Sequence, residues 1–297
     1  MAAITRHLAN RTPSISSLAR RCLSSTLPSE TNNCHAPPYS SFNLKPRVPP
    51  PEDLKDKHVQ WVFLGCPGVG KGTYASRLSN LIGVPHIATG DLLREQLASS
   101  TSLSSQLSET VKQGQLVSDE VIISLLSKRL AGGEAKGESG FILDGFPRTV
   151  KQAVSISALE ILEGVTEIDL VINLKLREDV LLEKCLGRRI CSQCGGNFNI
   201  ASVNINAENG SPGIIMAPLL PPADCMSKLT TRSDDTEVVV KERLRIYNEM
   251  SRPVEEFYRI RGKLLEFDLP GGIPESWPKL LQALNLDDYE DKRPATV

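Results

Sequence analysis

Gly65-Cys66-Pro67-Gly68-Val69-Gly70-Lys71-Gly72-Thr73 follows directly on the apolar run Val59 to Leu64. A buried strand thus feeds a glycine-rich loop, and Ala75, Leu78 and Leu81 recur beyond it at helical spacing. That order suits a phosphate chain. Glycines let main-chain N–H groups turn inward, and a helix N-terminus adds partial positive charge. Lys71 adds a full charge at the β/γ-phosphate position. The common spelling of such a loop has Ser or Thr straight after the lysine; here Gly72 intervenes and the hydroxyl comes at Thr73.

Other strings carry complementary chemistry: Thr89-Gly90-Asp91-Leu92-Leu93-Arg94, Gly114 to Glu120, Leu143-Asp144-Gly145-Phe146-Pro147-Arg148, Gly187-Arg188-Arg189 and Arg232-Ser233-Asp234-Asp235. Asp144 closes an apolar run, as a carboxylate that orients Mg²⁺ does beside a phosphate loop. Mg²⁺ keeps several waters, so one or two carboxylates suffice. Lys71, Arg94, Arg148, Arg188, Arg232 and Arg243 supply cations for an anionic ligand. None of the four histidines falls in a motif.

These residues need a scaffold that brings distant loops together. Strand-like runs at Gln60–Leu64, Pro85–Ala88, Gly140–Leu143, Leu170–Leu174 and Leu264–Phe267 alternate with helical patterns at Tyr74–Ile82, Glu120–Leu130 and Glu178–Leu186. The alternation predicts an α/β fold: a parallel sheet covered on both faces, with ligands outside the carboxyl ends of the strands. Residues 190–231 break the pattern, being rich in Asn, Gly and Pro with little helical period. An insertion of that length, with arginines at both hinges, predicts a flap that closes over an anion.

Composition narrows the class. With 297 residues, 40% apolar and 23% charged, the chain reads as globular. A net charge of −1 gives no general attraction for nucleic acid or anionic membrane. Its apolar runs are too short to span a bilayer. Residues 1–29 carry Arg6, Arg11, Arg20 and Arg21, many hydroxyls and no acid, the composition of an organelle transit peptide. Residues 30–57 are proline-rich and read as a linker. Of seven cysteines, Cys66 is expected to be a small filler, and a reducing stroma or matrix predicts no structural disulfides.

From about Val59 to the end, the chain closely resembles the adenylate kinases, the long-lid nucleoside monophosphate kinases, and in particular their plant organellar type. The resemblance rests on the phosphate loop, Thr-Gly-Asp, Asp144 to Arg148, Gly-Arg-Arg and Arg-Ser-Asp-Asp in that order. It implies a P-loop core with a five-stranded parallel sheet (58–88, 118–186 and 236–297), a helical AMP lobe (89–117) and an inserted lid (187–235). It implies transfer of the terminal phosphate of ATP to AMP, with Mg²⁺, giving two ADP. Gly68, Val69, Gly70, Lys71, Gly72 and Thr73 would then hold the ATP phosphates, with Asn197 and Phe198 over the ATP base. Thr89, Arg94, Gln115, Leu116, Val117, Gly145, Phe146, Pro147, Arg148 and Gln152 would form the AMP pocket. Arg188, Arg232 and Arg243 would clamp the transferring group. The family also suggests a monomer in a plastid, with the mitochondrion as the alternative.

Two departures stand out. Many relatives carry two Cys-x-x-Cys pairs that bind zinc in the lid. Here Cys191 and Cys194 keep the first pair and only Cys225 remains of the second. Three thiolates fall short of a closed four-ligand site, so structural zinc is not expected. Lys184 stands where relatives often place an arginine on the ATP base, and a lysine stacks less well, which predicts a looser choice of phosphate donor. Two other functions compete: a UMP/CMP kinase, against which Thr89 and Gln152 argue through the family, and a silent nucleotide sensor, which would need no array of clamp arginines.

Overall fold

The computed structural model describes residues 59–98, 102–138, 140–155, 168–207 and 213–287. The transit and linker segments, with Cys22 and Cys34, lie outside the described residues.

Strand β1 (Gln60–Gly65) is buried along its whole length. It forms the centre of a parallel five-stranded sheet with β2 (His86–Ala88), β3 (Phe141–Asp144), β4 (Leu170–Lys175) and β10 (Leu264–Asp268), in the order β10-β4-β1-β3-β2. Near-continuous apolar runs in β1 and β4 follow from burial on both faces. Period-two alternation splits their side chains. Trp61, Phe63, Leu170 and Ile172 pack with Leu78 of α1 (Lys71–Ile82) and Leu280 of α10 (Ile273–Ala283). Val62, Leu64 and Val171 pack on the other face with Leu126 of α4 (Asp119–Glu134) and with Val254 and Tyr258 of α9 (Arg252–Ile260). Each large side chain so buried contributes about 1.5–3 kcal/mol relative to exposure. The five expected strands are all present, and each of the three expected helices lies within an observed one.

Helix boundaries follow local chemistry. Gly70, left-handed at φ 107°, precedes α1 with no side-chain cap, and its carbonyl accepts from the Thr73 and Tyr74 N–H groups at 2.9 and 3.2 Å. Gly83 ends α1 in the left-handed region, its N–H donating to the Ser79 carbonyl. Asp119 and Glu120 open α4 with the charge that its dipole favours. The Thr236 hydroxyl oxygen accepts from the Val239 N–H at the start of α8 (Glu237–Ile246). That helix runs through a π-helical turn, Tyr247–Ser251, into α9.

Helices α2 (Thr89–Ala98) and α3 (Ser102–Lys112) follow β2, and a further helix, α5, begins at residue 150 and is described to residue 155. Helix α6 (Glu178–Leu186) leads into the inserted segment. There β5 (Arg188–Cys191), β6 (Asn197–Asn199) and β9 (Leu229–Thr230) form an antiparallel sheet in the order β6-β5-β9, with the single turn α7 (Ala223–Met226) ahead of β9. Runs of two to four residues are too short to reveal a period in sequence, so these strands went unread. A second hairpin, β7 (Val203–Ile205) with β8 (Ile214–Met216), departs from a simple flap. Its Val203, Ile214 and Met216 are buried in the same cluster as Leu269 and Trp277 of the core. The Gly272 N–H also donates to the Ile215 carbonyl at 3.2 Å.

Candidate active site

Backbone shape builds the phosphate loop. A Cβ on Gly65 (φ +138°) would lie 2.5 Å from the Leu174 carbonyl oxygen. One on Gly68 (φ +86°) would lie 2.6 Å from the Cys185 sulfur and 2.7 Å from the Leu181 carbonyl oxygen. No other residue type meets both demands. Val69 is buried beneath the loop. The Lys71 ammonium donates to the carbonyls of Gly65 at 2.7 Å and Cys66 at 3.1 Å. Desolvation lowers the Lys71 ammonium to about 8, against the pull of Asp144. Burial pushes the Cys66 thiol up to about 11, which leaves it a filler and not a nucleophile.

Asp144 ends β3 at the mouth of this loop. Its Oδ2 lies 3.3 Å from where a Gly72 Cβ would stand, so Gly72 leaves room for the carboxylate. Burial raises the Asp144 carboxyl, but the nearby His86 ring and the Lys71 ammonium outweigh it, and the net shift is downward. An ionised oxygen donor beside the phosphate loop fits the hard, water-retaining Mg²⁺ ion. The His86 Nε2 stands 3.6 Å from Asp144 Oδ2.

A cleft runs from Lys71 to α2. Thr89, Arg94, Gln115, Leu116, Val117, Gly145, Phe146, Pro147, Arg148, Gln152 and Arg243 all line it with Lys71. The structure thus brings together every residue assigned by sequence to an AMP pocket except Arg232, which follows β9 of the inserted segment and is absent from the lining. Thr89 hydroxyl donates to the carbonyls of Asp144 (3.2 Å) and Gly145 (3.0 Å), tying the first turn of α2 to the end of β3. Gln152, 3% exposed, accepts from the Arg148 N–H and donates to Asp119, both at 2.7 Å. One amide hydrogen and one lone pair remain free for a base edge.

The arginines converge from three directions. Arg148 Nε donates to the Gly145 carbonyl. Enclosure by the cleft, then repulsion from Arg243 and Arg94, lowers the Arg148 guanidinium. Burial, then Arg188 and Arg94, lowers Arg232 to about 10, and its buried Nε has no hydrogen-bond partner. Arg232 Nη2 donates to Asn197 Oδ1 at 3.1 Å. Arg188 and Arg243 share Asp235, and Arg243 also pairs with Asp234 at 3.0 Å. Among the residues expected over the ATP base, Phe198 lies in β6 opposite Arg189 of β5, next to Asn197. Crowded like charges with depressed pKa values mark a site that an anion would complete.

Sequence reasoning had quoted Asp234 and Asp235 without giving them a task; here they orient two arginines. It also missed Tyr247 and Ser251. The π-helical turn aims Ser251 Oγ at the Arg148 carbonyl (2.9 Å) and lets Tyr247 OH donate to Glu255 (2.8 Å). Such turns recur at functional sites, but a single inserted residue leaves no sequence signal of its own.

Three thiols of the inserted segment also meet. Cys191, Cys194 and Cys225 place their sulfurs within 4.8 Å of one another, and among the described residues no fourth His, Cys, Asp or Glu joins them.

A family model described as adenylate kinase matches residues 63–263. A protein of Arabidopsis thaliana named adenylate kinase 1, chloroplastic, is 73% identical over 239 residues, covering 80% of this chain and 82% of its own. An adenylate kinase of Solanum tuberosum is 64% identical over 276 residues, 93% of this chain and 92% of its own. One from the bacterium Moorella thermoacetica is 40% identical over 229 residues, 77% and 99% of the two chains. With a phosphate loop and a carboxylate at the ends of adjacent sheet strands, arginines gathered around them, and these matches along most of its length, the chain belongs to the adenylate kinase family.

Proposed function

We propose that this chain catalyses the reversible transfer of the terminal phosphoryl group of ATP to AMP, forming two ADP, and so balances adenine nucleotides. The observation that carries this is the convergence of Lys71, Arg94, Arg148 and Arg243 on a single cleft joining the phosphate loop to Thr89 and Gln152, with Arg232 near enough to feel the charges of Arg188 and Arg94. A single-nucleotide hydrolase needs no second pocket on the far side of its phosphate loop.

In this reading Gly68 to Thr73 grip the β- and γ-phosphates of the donor through main-chain N–H groups and Lys71. Asn197 and Phe198 cover the donor base. Thr89, Arg94, the segment Gln115 to Val117, the turn Gly145 to Arg148, and Gln152 hold AMP. Arg148, Arg188, Arg232 and Arg243 surround the phosphoryl group in flight. The attacking group is a phosphate oxygen of AMP, already anionic, so no general base is required. The barrier falls through alignment and through fixed positive charge. When bound, Mg²⁺ neutralises charge on the donor phosphates. Asp144 would hold it through coordinated water.

Residues 89–117 are the AMP lobe and 187–235 the lid, and within the lid we assign movement to the β6-β5-β9 sheet, the β7–β8 hairpin being packed on the core. Closing them excludes water, which would otherwise take the phosphoryl group. The chain acts as a monomer without structural zinc. The arginine-rich residues 1–29 and the chloroplastic name of the Arabidopsis relative support import into a plastid, with 1–29 removed.

The test is dismutation. Supplied with ADP and Mg²⁺ alone, the protein is expected to yield equal amounts of ATP and AMP, and Lys71→Met to abolish this without unfolding. A linked bis-adenosine oligophosphate should bind as one ligand spanning both pockets. Failure of dismutation together with failure of that ligand to bind refutes the activity. A panel of AMP, UMP, CMP and GMP as acceptors checks the assignment of Thr89 and Gln152.

A further inference from the structure

The three-thiol cluster lies in the lid segment, outside the nucleotide cleft, and the phosphoryl-transfer reading leaves it unused. Its geometry is asymmetric. Cys191 is buried in β5, whereas Cys194 is exposed in the turn joining β5 to β6 and Cys225 is half-exposed in α7. The sulfurs of Cys194 and Cys225 are 3.6 Å apart, although the two residues are separated by 31 positions. A disulfide needs about 2.05 Å, so closure takes an approach of about 1.5 Å.

The backbone on both sides is already ordered for this pairing. The Cys191 N–H donates to the Gly196 carbonyl, and the Gly195 N–H returns to Cys191. The Gly196 N–H donates to the Cys194 sulfur at 3.4 Å. Across from it, the N–H of Cys225 donates to the Pro222 carbonyl and that of Lys228 to the Cys225 carbonyl. Lys228 Nζ reaches Gln193 Oε1 and Ser192 Oγ the Lys228 carbonyl, so the two turns are sewn together on either side of the sulfurs. A divalent metal fits poorly. Among the described residues only three soft ligands are present and no carboxylate or imidazole completes the set, and the Lys228 ammonium reaches across onto the same turn.

We infer that Cys194 and Cys225 form a reversible disulfide that staples the two turns of the lid sheet, the oxidant being a small-molecule disulfide such as oxidised glutathione. Exposed Cys194 attacks as thiolate on one glutathione sulfur. The S–S bond of glutathione breaks, one glutathione leaves as thiolate, and a mixed disulfide forms on Cys194. Cys225, whose thiol is pushed up by its hydrogen bonds to Cys191 and Cys194, passes its proton to the neighbouring Cys191 sulfur, whose thiol the surrounding donors hold down, attacks the Cys194 sulfur and expels the second glutathione. Two thiols have been oxidised and one disulfide reduced to two thiols. Dithiol reductants reverse the sequence. Cys191 stays out of the disulfide because it is buried.

The staple falls close to two residues of the donor side. Asn197 opens β6 just beyond Gly196, and Arg232, its hydrogen-bond partner, lies two residues past β9. Oxidation would therefore fix the frame from which both project.

The experiment treats the full-length reduced chain with oxidised glutathione, quenches by alkylation, and maps disulfides by peptide mass spectrometry under non-reducing conditions. A Cys194–Cys225 cross-linked peptide is expected, lost on reduction and absent in Cys225→Ser, where Cys194 should instead retain glutathione. Amide exchange at residues 192–196 and 225–228 should slow by about tenfold in the oxidised protein. Four outcomes overturn the inference. One is a cross-link between other cysteines, and another is glutathione held on Cys194 without a cross-link in the unaltered chain. The third is a cross-link that leaves exchange unchanged, and the fourth is one zinc per purified chain that shields the thiols.

Discussion

Replacing Asp235 by Asn removes one negative charge and almost no volume, which isolates what that charge does. The Asp235 side chain is 0% exposed and is shared by Arg188, 17% exposed, and Arg243, 20% exposed. Breaking a fully buried ion pair by deleting one partner costs about 3–5 kcal/mol. Both arginines keep about a fifth of their surface in water, and Asp234 still pairs with Arg243. The lower end applies, and we expect a loss of about 3 kcal/mol in urea unfolding. The effect on turnover is separate. The carboxylate holds Arg188 on Nε and Nη2 at once, which fixes the plane of the guanidinium. Freed of that plane, the clamp is misplaced by an ångström or so, and kcat is expected to fall by about 10²-fold. KM for AMP should change less, because Arg243, which lines the cleft beside Thr89 and Arg94, keeps its pairing with Asp234. Asp234→Asn, which loses the 3.0 Å pairing with Arg243, should cost about 1 kcal/mol. The assay is coupled ADP production beside urea titration. An Asp235→Asn protein within about 0.5 kcal/mol of the parent and within about twofold in kcat would refute the argument.

Three further outcomes follow from the same geometry. Lys71 titrates near 8 in the fold and 10.5 in the unfolded chain, so below pH 8 its charged burial opposes folding. Stability from this group therefore rises between pH 8 and 10.5, and nucleotide binding above pH 8 takes up a proton. Calorimetry in buffers of different ionisation enthalpy should detect that proton, and Lys71→Met should lose it. Gly68→Ala drives a Cβ to 2.6 Å from the Cys185 sulfur at φ +86°, so we expect more than about 2 kcal/mol of destabilisation and loss of ATP binding by titration. Burial lowers the Lys184 ammonium to about 8, and its Nζ lies 3.9 Å from where a Gly70 Cβ would stand. Lys184→Arg should sharpen the ratio of kcat/KM for ATP over GTP several-fold, about 1 kcal/mol, and an unchanged ratio would remove Lys184 from donor choice.

What sequence made legible follows a physical divide. β1 and β4 could be read because burial on both faces forces uninterrupted apolar runs, and α6 because its period survives over nine residues. The phosphate loop could be read because its backbone tolerates so few residue types. Asp235 was visible as part of a motif but silent about its task, since a charge states nothing about its partner 47 positions away. The π-helical turn and the antiparallel strands β5 to β9 were illegible for a different reason. Each is too short to impose a period, and their order comes from neighbours distant in the chain.

The β7–β8 hairpin acts as an anchor on whatever the β6-β5-β9 sheet does. Between the anchor and the antiparallel bridge joining Asn199 to Leu219 lie only short leashes, the three residues Ile200-Ala201-Ser202 on one side and the two residues Ala217-Pro218 on the other. A two-residue leash reaches about 7 Å when taut. Arg232 and Asn197 can therefore swing away from the phosphate loop only by pivoting about that point, through a short arc. A wider excursion would have to peel Val203, Ile214 and Met216 off Leu269 and Trp277, wetting three apolar side chains at each opening.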